Sequence, residues 1–309
     1  MKDISVILIN YNSSSFTINC VQSILKQTKS SLNYEIIVVD NASKFEDFSF
    51  LKTELEKLNI AFIKIIRSKL NTGFGGGNMF GIQFANAKYY AFVNNDTILQ
   101  NDCLKINFNF LEKQTNASIC CSQQFNENEE VQKSFDHFLS LKRELFGRSI
   151  FEKINPKKYP KRNKIYSSPL KVQAVPGSFL VVDAENFHKV GGFDTNIFLF
   201  YEETDLCYRV SEKISNGGSY LVPEGKYIHY KGQSTGKSMA IKKELKISLL
   251  YVIRKNSGYF AYQTLRWFLT LKYLFKSIIK PSNFKLFYLF LMGAPISKSL
   301  KQQQTILKK

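Results

Sequence analysis

The chain is poor in cysteine and has no long apolar run. Its five cysteines, at positions 20, 103, 120, 121 and 207, show no Cys-x-x-Cys spacing and no regular framework, which excludes a disulfide scaffold. No stretch reaches the roughly 18 to 20 uninterrupted apolar residues that a membrane-spanning helix requires. The opening segment, Met1-Lys-Asp-Ile-Ser-Val-Ile-Leu-Ile-Asn10, has an apolar run too short for a secretory leader and lacks a small-residue cleavage site. Reduced thiols and a cytoplasmic location are therefore expected. There is no internal repeat and no nucleic-acid motif, so nucleic acid is not an expected partner.

Acids are nearly missing from the last quarter. Residues 236–309 carry 15 Lys and Arg against the single acid Glu244, so they hold +14 of the net charge of +18. Such a split predicts two parts that meet different partners. Residues 264–279 and 284–292 are apolar but interrupted by Arg266, Lys272, Lys276, Lys280 and Lys285. With Trp267, Phe268, Tyr273, Phe275 and Phe287 among those cations, the pattern predicts helices lying in the headgroup layer of an anionic membrane. Packing of the tail on the body, or on another subunit, is the alternative. The expected division is a domain over 1–235 and a basic amphipathic helical region over 236–309, broken at Gly258, Pro281 and Pro295.

At 309 residues, with 44% hydrophobic and 14% aromatic side chains, the chain has enough apolar surface for a full globular core. The first half alternates between two periods. Residues 5–9, 34–39, 60–66 and 89–93 are strand-like, whereas 15–26, 48–58 and 76–87 have helical spacing. Repeated β-α-β units with continuous apolar strands predict a mostly parallel sheet flanked by helices. Ligands bind such sheets beyond the carboxyl ends of the strands, where Asp40 and residues 94–96 fall. Residues 133–170, rich in Lys, Phe and Tyr, are expected to form a loop region over the site. Residues 172–182 read as a strand bent at Pro176-Gly177, 203–214 as a helix, and 219–222 and 227–230 as two short strands.

Two apolar runs end in oxygen-bearing side chains. Residues 89–93 lead into Asn94-Asn95-Asp96-Thr97, and 197–201 lead into Glu202, Glu203 and Asp205. Carboxylates at the mouth of a core-entering run need a partner, such as a metal or a proton to handle, so the chain is expected to be an enzyme. Bland alternatives stand beside each motif: a cap on the turn after Asn94, an Asx-turn at Asp40, and an acid-rich helix start at Glu202. The glycines of Asn71-Thr-Gly-Phe-Gly-Gly-Gly-Asn78 miss the Gly-x-Gly-x-x-Gly spacing of dinucleotide enzymes. They fit a loop where backbone approaches a ligand, or one that serves helix packing only.

In order along the chain come Ser5-Val-Ile-Leu-Ile-Asn-Tyr-Asn12, Val38-Val-Asp-Asn-Ala-Ser43, Asn71 to Asn78, Phe92-Val-Asn-Asn-Asp-Thr97, Gly191-Gly-Phe-Asp194, Tyr201-Glu-Glu-Thr-Asp-Leu-Cys-Tyr-Arg209 and His229. This series resembles the family 2 glycosyltransferases of the GT-A fold, and within them the rhamnosyltransferase-like branch, over roughly residues 3–235. The resemblance implies an inverting, metal-dependent transfer of a sugar from dTDP-rhamnose or a UDP-sugar to a lipid-linked glycan. It implies Glu203 as general base, with Glu202 and Asp205 beside it, and Asp96 and His229 as ligands of Mg2+ or Mn2+. Donor binding would fall to Tyr11, Asn12, Asp40, Asn41, Asn71, Gly73, Gly76, Asn78, Asn94 and Asn95, with Asp40 reading the nucleobase. Lys231, Ser234 and Thr235 would hold phosphate oxygens. The chain departs from the family in having Asn94 where an acid is typical, and Glu203 where Asp is usual. His137 and His188 receive no role. The competing classes are a non-catalytic binder of anionic lipid or nucleic acid, and a nucleotidyltransferase on a related sheet.

Overall fold

In the computed structural model, residues 1–28, 32–230 and 238–307 are described. The first half lays down β1 (Lys2–Asn10), α1 (Ser14–Gln27), β2 (Tyr34–Asn41), α2 (Phe45–Glu56), β3 (Ile63–Ser68), α3 (Gly73–Gly81) and β4 (Ala87–Asn94). These strands pair in parallel in the order β3-β2-β1-β4. Ile4, Val6 and Leu8 face one apolar cluster while Ile7 faces the other, the alternation that a sheet covered on both sides requires.

The second half is mixed. It contains β5 (Thr97–Leu99), α4 (Cys103–Lys113), β6 (Ile119–Phe125), α5 (Leu141–Phe146), α6 (Arg148–Ile154), β7 (Leu170–Val172), β8 (Phe179–Asp183), α7 (Ala184–Lys189), α8 (Glu202–Lys213) and β9 (Ser219–His229). β8 runs antiparallel between β4 and β6, β6 pairs in parallel with β9, and β5 and β7 are antiparallel to β9. The sheet is thus all-parallel only from β3 to β4 and mixed beyond it, less uniform than the β-α-β pattern of the first half predicts.

Several boundaries differ from the sequence expectation for identifiable reasons. α3 starts three residues early because Gly73 adopts φ +74°, a conformation open to glycine, and its amide neighbour Phe74 donates to the Phe198 carbonyl at 3.0 Å. Residues 172–182 split into β7 and β8 around the Pro176-Gly177 bend. The two short strands expected after residue 218 are one strand, β9. Its register slips opposite Ser122 and Gln123, which accommodates Pro223 and Gly225. The expected loop over 133–170 instead contains two short helices tied by ion pairs: Asp136 to Arg143, Arg148 and Arg162, and Glu152 to Arg162.

The C-terminal region forms α9 (Met239–Ile279) and α10 (Phe284–Leu291). Gly258, at φ 85° and ψ 175°, breaks α9 into two arms. Ile247, Leu250 and Ile253 of the first arm, Leu265 and Leu269 of the second, and Phe290 of α10 share a core with Leu139 and Ile197. One face of the second arm and α10 stays uncovered, exposing Phe260, Trp267, Leu271, Phe275 and Ile278. Among the described residues no helix is long and apolar enough to cross a membrane.

Candidate active site

A cavity of about 740 Å³ opens at the carboxyl ends of β1, β2 and β4 and extends to the start of α8. Of the residues expected at the site, Tyr11, Asn41, Asn71, Gly73, Asn94, Asn95, Glu202, Glu203 and His229 line it. Asp96 stands directly behind His229. Its Oδ1 lies 3.1 Å from His229 Nε2, and Asn94 Nδ2 is 3.4 Å from the same ring nitrogen. The pairing of Thr97 with His229 across β5 and β9 brings these residues, 133 positions apart, together.

Asn41 shapes the neighbouring turn. Its amide donates to Asn71 Oδ1 and the Gly73 carbonyl, both at 3.0 Å, and its oxygen accepts from Thr72 N at 3.1 Å. A Cβ on Gly73 would sit 2.0 Å from the Phe198 carbonyl oxygen, so this glycine lets the α3 turn meet the segment leading into α8. Asn95 donates to Ser13 Oγ at 2.7 Å and Thr17 Oγ1 at 2.9 Å, which locks the end of β4 onto the start of α1.

α8 begins after Phe200 and Tyr201, both in the left-handed region at φ 74° and 71°. Its first turn carries Glu202, Glu203 and Asp205, where the partial positive charge of the helix start favours carboxylates. Glu202 is buried, and its Oε2 has no hydrogen-bond partner among the described residues. Burial, then the neighbouring Glu203 carboxylate, pushes Glu202 well above the usual range. Burial also pushes Glu203 up to about 7, against the opposing pull of its own backbone N–H and the Thr204 hydroxyl at 3.4 Å. The two adjacent carboxyls of raised pKa thus share one cavity.

Six expected site residues lie elsewhere. Asp40 is fully buried off the cavity lining, accepting from Asn10 Nδ2 at 3.0 Å and pairing with Arg67 Nε at 3.2 Å, so its carboxylate fixes the β2 end. Asp205 is likewise turned away from the cavity. It pairs with Arg209 Nε at 2.8 Å and Lys255 Nζ at 2.9 Å. Asn12 accepts from Lys44 N at 2.8 Å on the outer side of the turn. Gly76 packs on Thr72, whose Cβ would be 2.7 Å from an added Cβ, and Asn78 is buried with its amide on the Phe74 carbonyl at 3.0 Å. Asp96, the sixth, reaches the cavity through His229. Lys231, Ser234 and Thr235 fall outside the described residues.

Other lining residues carried no signal of their own in the sequence. Ser13 sits beside a quoted motif, but Ser178 and Gln124 come from separate elements. Ser178 Oγ, Gln124 Oε1 and Tyr227 OH interlock at 2.8 to 3.3 Å, a cluster visible only in three dimensions.

Parallel strands that end at this cavity and continue into a mixed half-sheet have the GT-A architecture of glycosyltransferases. The chain belongs to glycosyl transferase family 2, whose family model matches residues 5–177. It is 29% identical over 197 residues to the rhamnosyltransferase WbbL of Escherichia coli K12, covering 60% of this chain and 71% of that protein. It is also 29% identical over 111 residues to the N-acetylglucosaminyl-diphospho-decaprenol L-rhamnosyltransferase of Mycobacterium tuberculosis, covering 35% of this chain and 34% of that one. The fold matches GalNAc-T7 crystallised with UDP, GalNAc and Mn2+, with a TM-score of 0.61 at 14% identity, over 94% of this chain and 56% of that one. It also matches residues 1–349 of Staphylococcus aureus TarS, with a TM-score of 0.53 at 15% identity, over 89% of this chain and 73% of that one. The protein is a rhamnosyltransferase-like member of the family and an enzyme of sugar transfer.

Proposed function

We propose that the protein moves a sugar, from dTDP-rhamnose or a UDP-sugar, onto a hydroxyl of a lipid-linked saccharide at the inner membrane face, with inversion. The observation that carries this reading is a single cavity lined both by His229, bonded to Asp96, and by Glu202 and Glu203. Similarity to a transferase whose acceptor is a decaprenol-linked saccharide supports the lipid-linked acceptor.

In this reading Glu203 takes the proton of the acceptor hydroxyl as its oxygen bonds the anomeric carbon. The anomeric bond to the donor diphosphate breaks at the same time, and the nucleoside diphosphate leaves with the electron pair. A single displacement inverts the centre. Glu202, buried and kept neutral, donates a hydrogen bond to a sugar hydroxyl from its otherwise unpartnered side. Asn41, Asn71, Asn94, Asn95 and Tyr11 hold the donor.

The carboxylate suits Mn2+ or Mg2+, and the added imidazole favours Mn2+ of the two. Among the described residues no group of three or more His, Cys, Asp or Glu is placed to hold a metal ion. Asp96 and His229 would hold the cation, and when bound it would neutralise charge gathering on the leaving group.

The basic tail brings the enzyme to an anionic surface. The test is transfer from dTDP-rhamnose and from UDP-sugars to a polyprenyl-diphosphate N-acetylglucosamine, with the product's anomeric configuration read by NMR. Retention of configuration, or no transfer from any nucleotide sugar, rules the reading out.

A further inference from the structure

The cavity has an apolar wall to which the C-terminal region contributes. Ile241 and Leu245, from the first turns of α9, line it together with Leu300 and with Phe198, Leu199 and Phe200. The segment bearing Leu300 is tied down along its length. Ser299 Oγ and Leu300 N donate to the two oxygens of Glu244 at 2.8 and 2.7 Å. Lys301 Nζ donates to the Thr195 carbonyl, and Leu307 N reaches the Lys69 carbonyl at 2.9 Å, beside the Asn71 turn. The single acid of the basic region is therefore buried and committed to placing this strap.

A nucleotide sugar does not call for such a wall. Its diphosphate, ribose and sugar hydroxyls match the Asn, Ser, Tyr and His side chains of the same cavity. Ile241, Leu245 and Leu300 are only part-buried, and apolar surface left in water costs about 25 cal/mol per Å². Apolar lining beside a few placed polar groups is the usual composition of a site for a ligand with an apolar portion. The arm of α9 beyond Gly258 and α10 expose further apolar side chains, among them Phe260 and Trp267, so the wall belongs to the same helical unit as the uncovered outer face.

We propose that Ile241, Leu245 and Leu300, with Phe198 to Phe200, form an acceptor subsite that takes the first part of the acceptor's lipid chain. This rests on the sugar-transfer reading and adds a specificity wall to it. The strap fixed by Glu244 and Lys69 positions that wall in the cavity that Glu203 also lines.

The test uses the full-length protein and a benzophenone-bearing farnesyl diphosphate, with crosslinked peptides mapped by mass spectrometry. The expected result is labelling within 240–245 and 299–304, reduced at least fivefold by the double substitution Ile241→Gln and Leu300→Gln. The double variant must bind UDP or dTDP with wild-type affinity by calorimetry, and Leu245→Gln alone replaces it if that control fails. Labelling confined to 259–292, labelling undiminished by the substitutions, or no labelling overturns the proposal. Failure of the sugar-transfer reading shows separately, as a wild-type protein that binds no nucleotide.

Discussion

Lys255 Nζ lies 2.9 Å from Oδ2 of Asp205, so a helix of the basic tail grips the helix that carries the paired glutamates. The same ammonium is 2.7 Å from Asp194 Oδ2, which also accepts from Tyr251 OH at 2.8 Å. Against the upward push of partial burial, the Lys255 ammonium, with backbone and Tyr251 donors, holds the part-buried Asp194 carboxyl down at about 2. Lys255→Met leaves Asp205 buried with Arg209 and Asn256 as remaining partners. A loss of roughly 1–3 kcal/mol is expected in urea denaturation, because a buried charge loses one of its counter-ions. Transfer activity should fall further than stability predicts, since the start of α8 loses an anchor. Unchanged stability would show the tail to be a passenger on the catalytic body.

Glu203 sets the pH profile. A carboxyl whose pKa is pushed up to about 7 is protonated below that pH and cannot accept the acceptor proton. The ratio kcat/KM should therefore rise with pH through about 7 and level off above it. Glu203→Gln should cut kcat by roughly 10²- to 10⁴-fold and remove that rise, with donor affinity nearly intact. A variant that keeps the acid limb would move the base to Glu202.

The parallel half of the fold was legible because its strands are continuous apolar runs with polar ends, a pattern local to each segment. The mixed half was not. β6 and β8 owe their places to pairing with distant strands, and β9 reads as two strands because Pro223 and Gly225 interrupt a run whose continuity depends on a bulge opposite Ser122. In the site, the end of β4 and the start of α8 could be read from apolar runs that stop at acids. What the chain order could not give was direction. Asp40 and Asp205 fall in motifs as good as those of Asn41 and Glu203, yet Arg67 and Lys255, distant in sequence, turn both inward.

Glu202 should make the protein less stable as pH rises. Its pKa is raised above the 4.5 of an ordinary glutamate, so the folded state binds this proton more tightly than the unfolded chain does. The resulting stabilisation is fully present below about 4.5 and is lost as pH climbs through the higher folded value. Glu202→Gln keeps the shape without the charge. Its thermal midpoint should match wild type near pH 5 and exceed it at pH 8, a difference of about 1–3 kcal/mol in calorimetry. Parallel pH curves for the two proteins would place the titration elsewhere.

Chelation should silence transfer, and Mn2+ or Mg2+ should restore it. Asp96→Asn removes the carboxylate and leaves a neutral amide beside His229, so added metal should no longer rescue activity. A cost on the order of 10³-fold in kcat is expected, corresponding to several kcal/mol of lost charge stabilisation on the leaving diphosphate. His229→Ala should raise the metal concentration needed for half-maximal activity and leave saturated activity less affected. Full activity in excess EDTA would remove the metal from the mechanism.

The uncovered face of the tail should bind anionic vesicles. Trp267 is 50% and Phe275 65% exposed on the outer arm of α9, which also carries the exposed Lys272 and Lys276 and ends at the exposed Lys280. Each cation near a negatively charged surface contributes about 1 kcal/mol, so replacing these three by Gln should weaken partitioning on the order of 100-fold. Added salt should weaken wild-type binding in the same direction, because the attraction fades beyond about 10 Å at 0.1 M ionic strength. Trp267→Ala should act differently, lowering affinity for vesicles at all salt concentrations through lost apolar contact. Indole fluorescence should shift to the blue on binding, since Trp267 is the one tryptophan in the chain. Equal partitioning onto neutral and anionic vesicles would leave the apolar stripe as the sole attachment and the cations without a role in it.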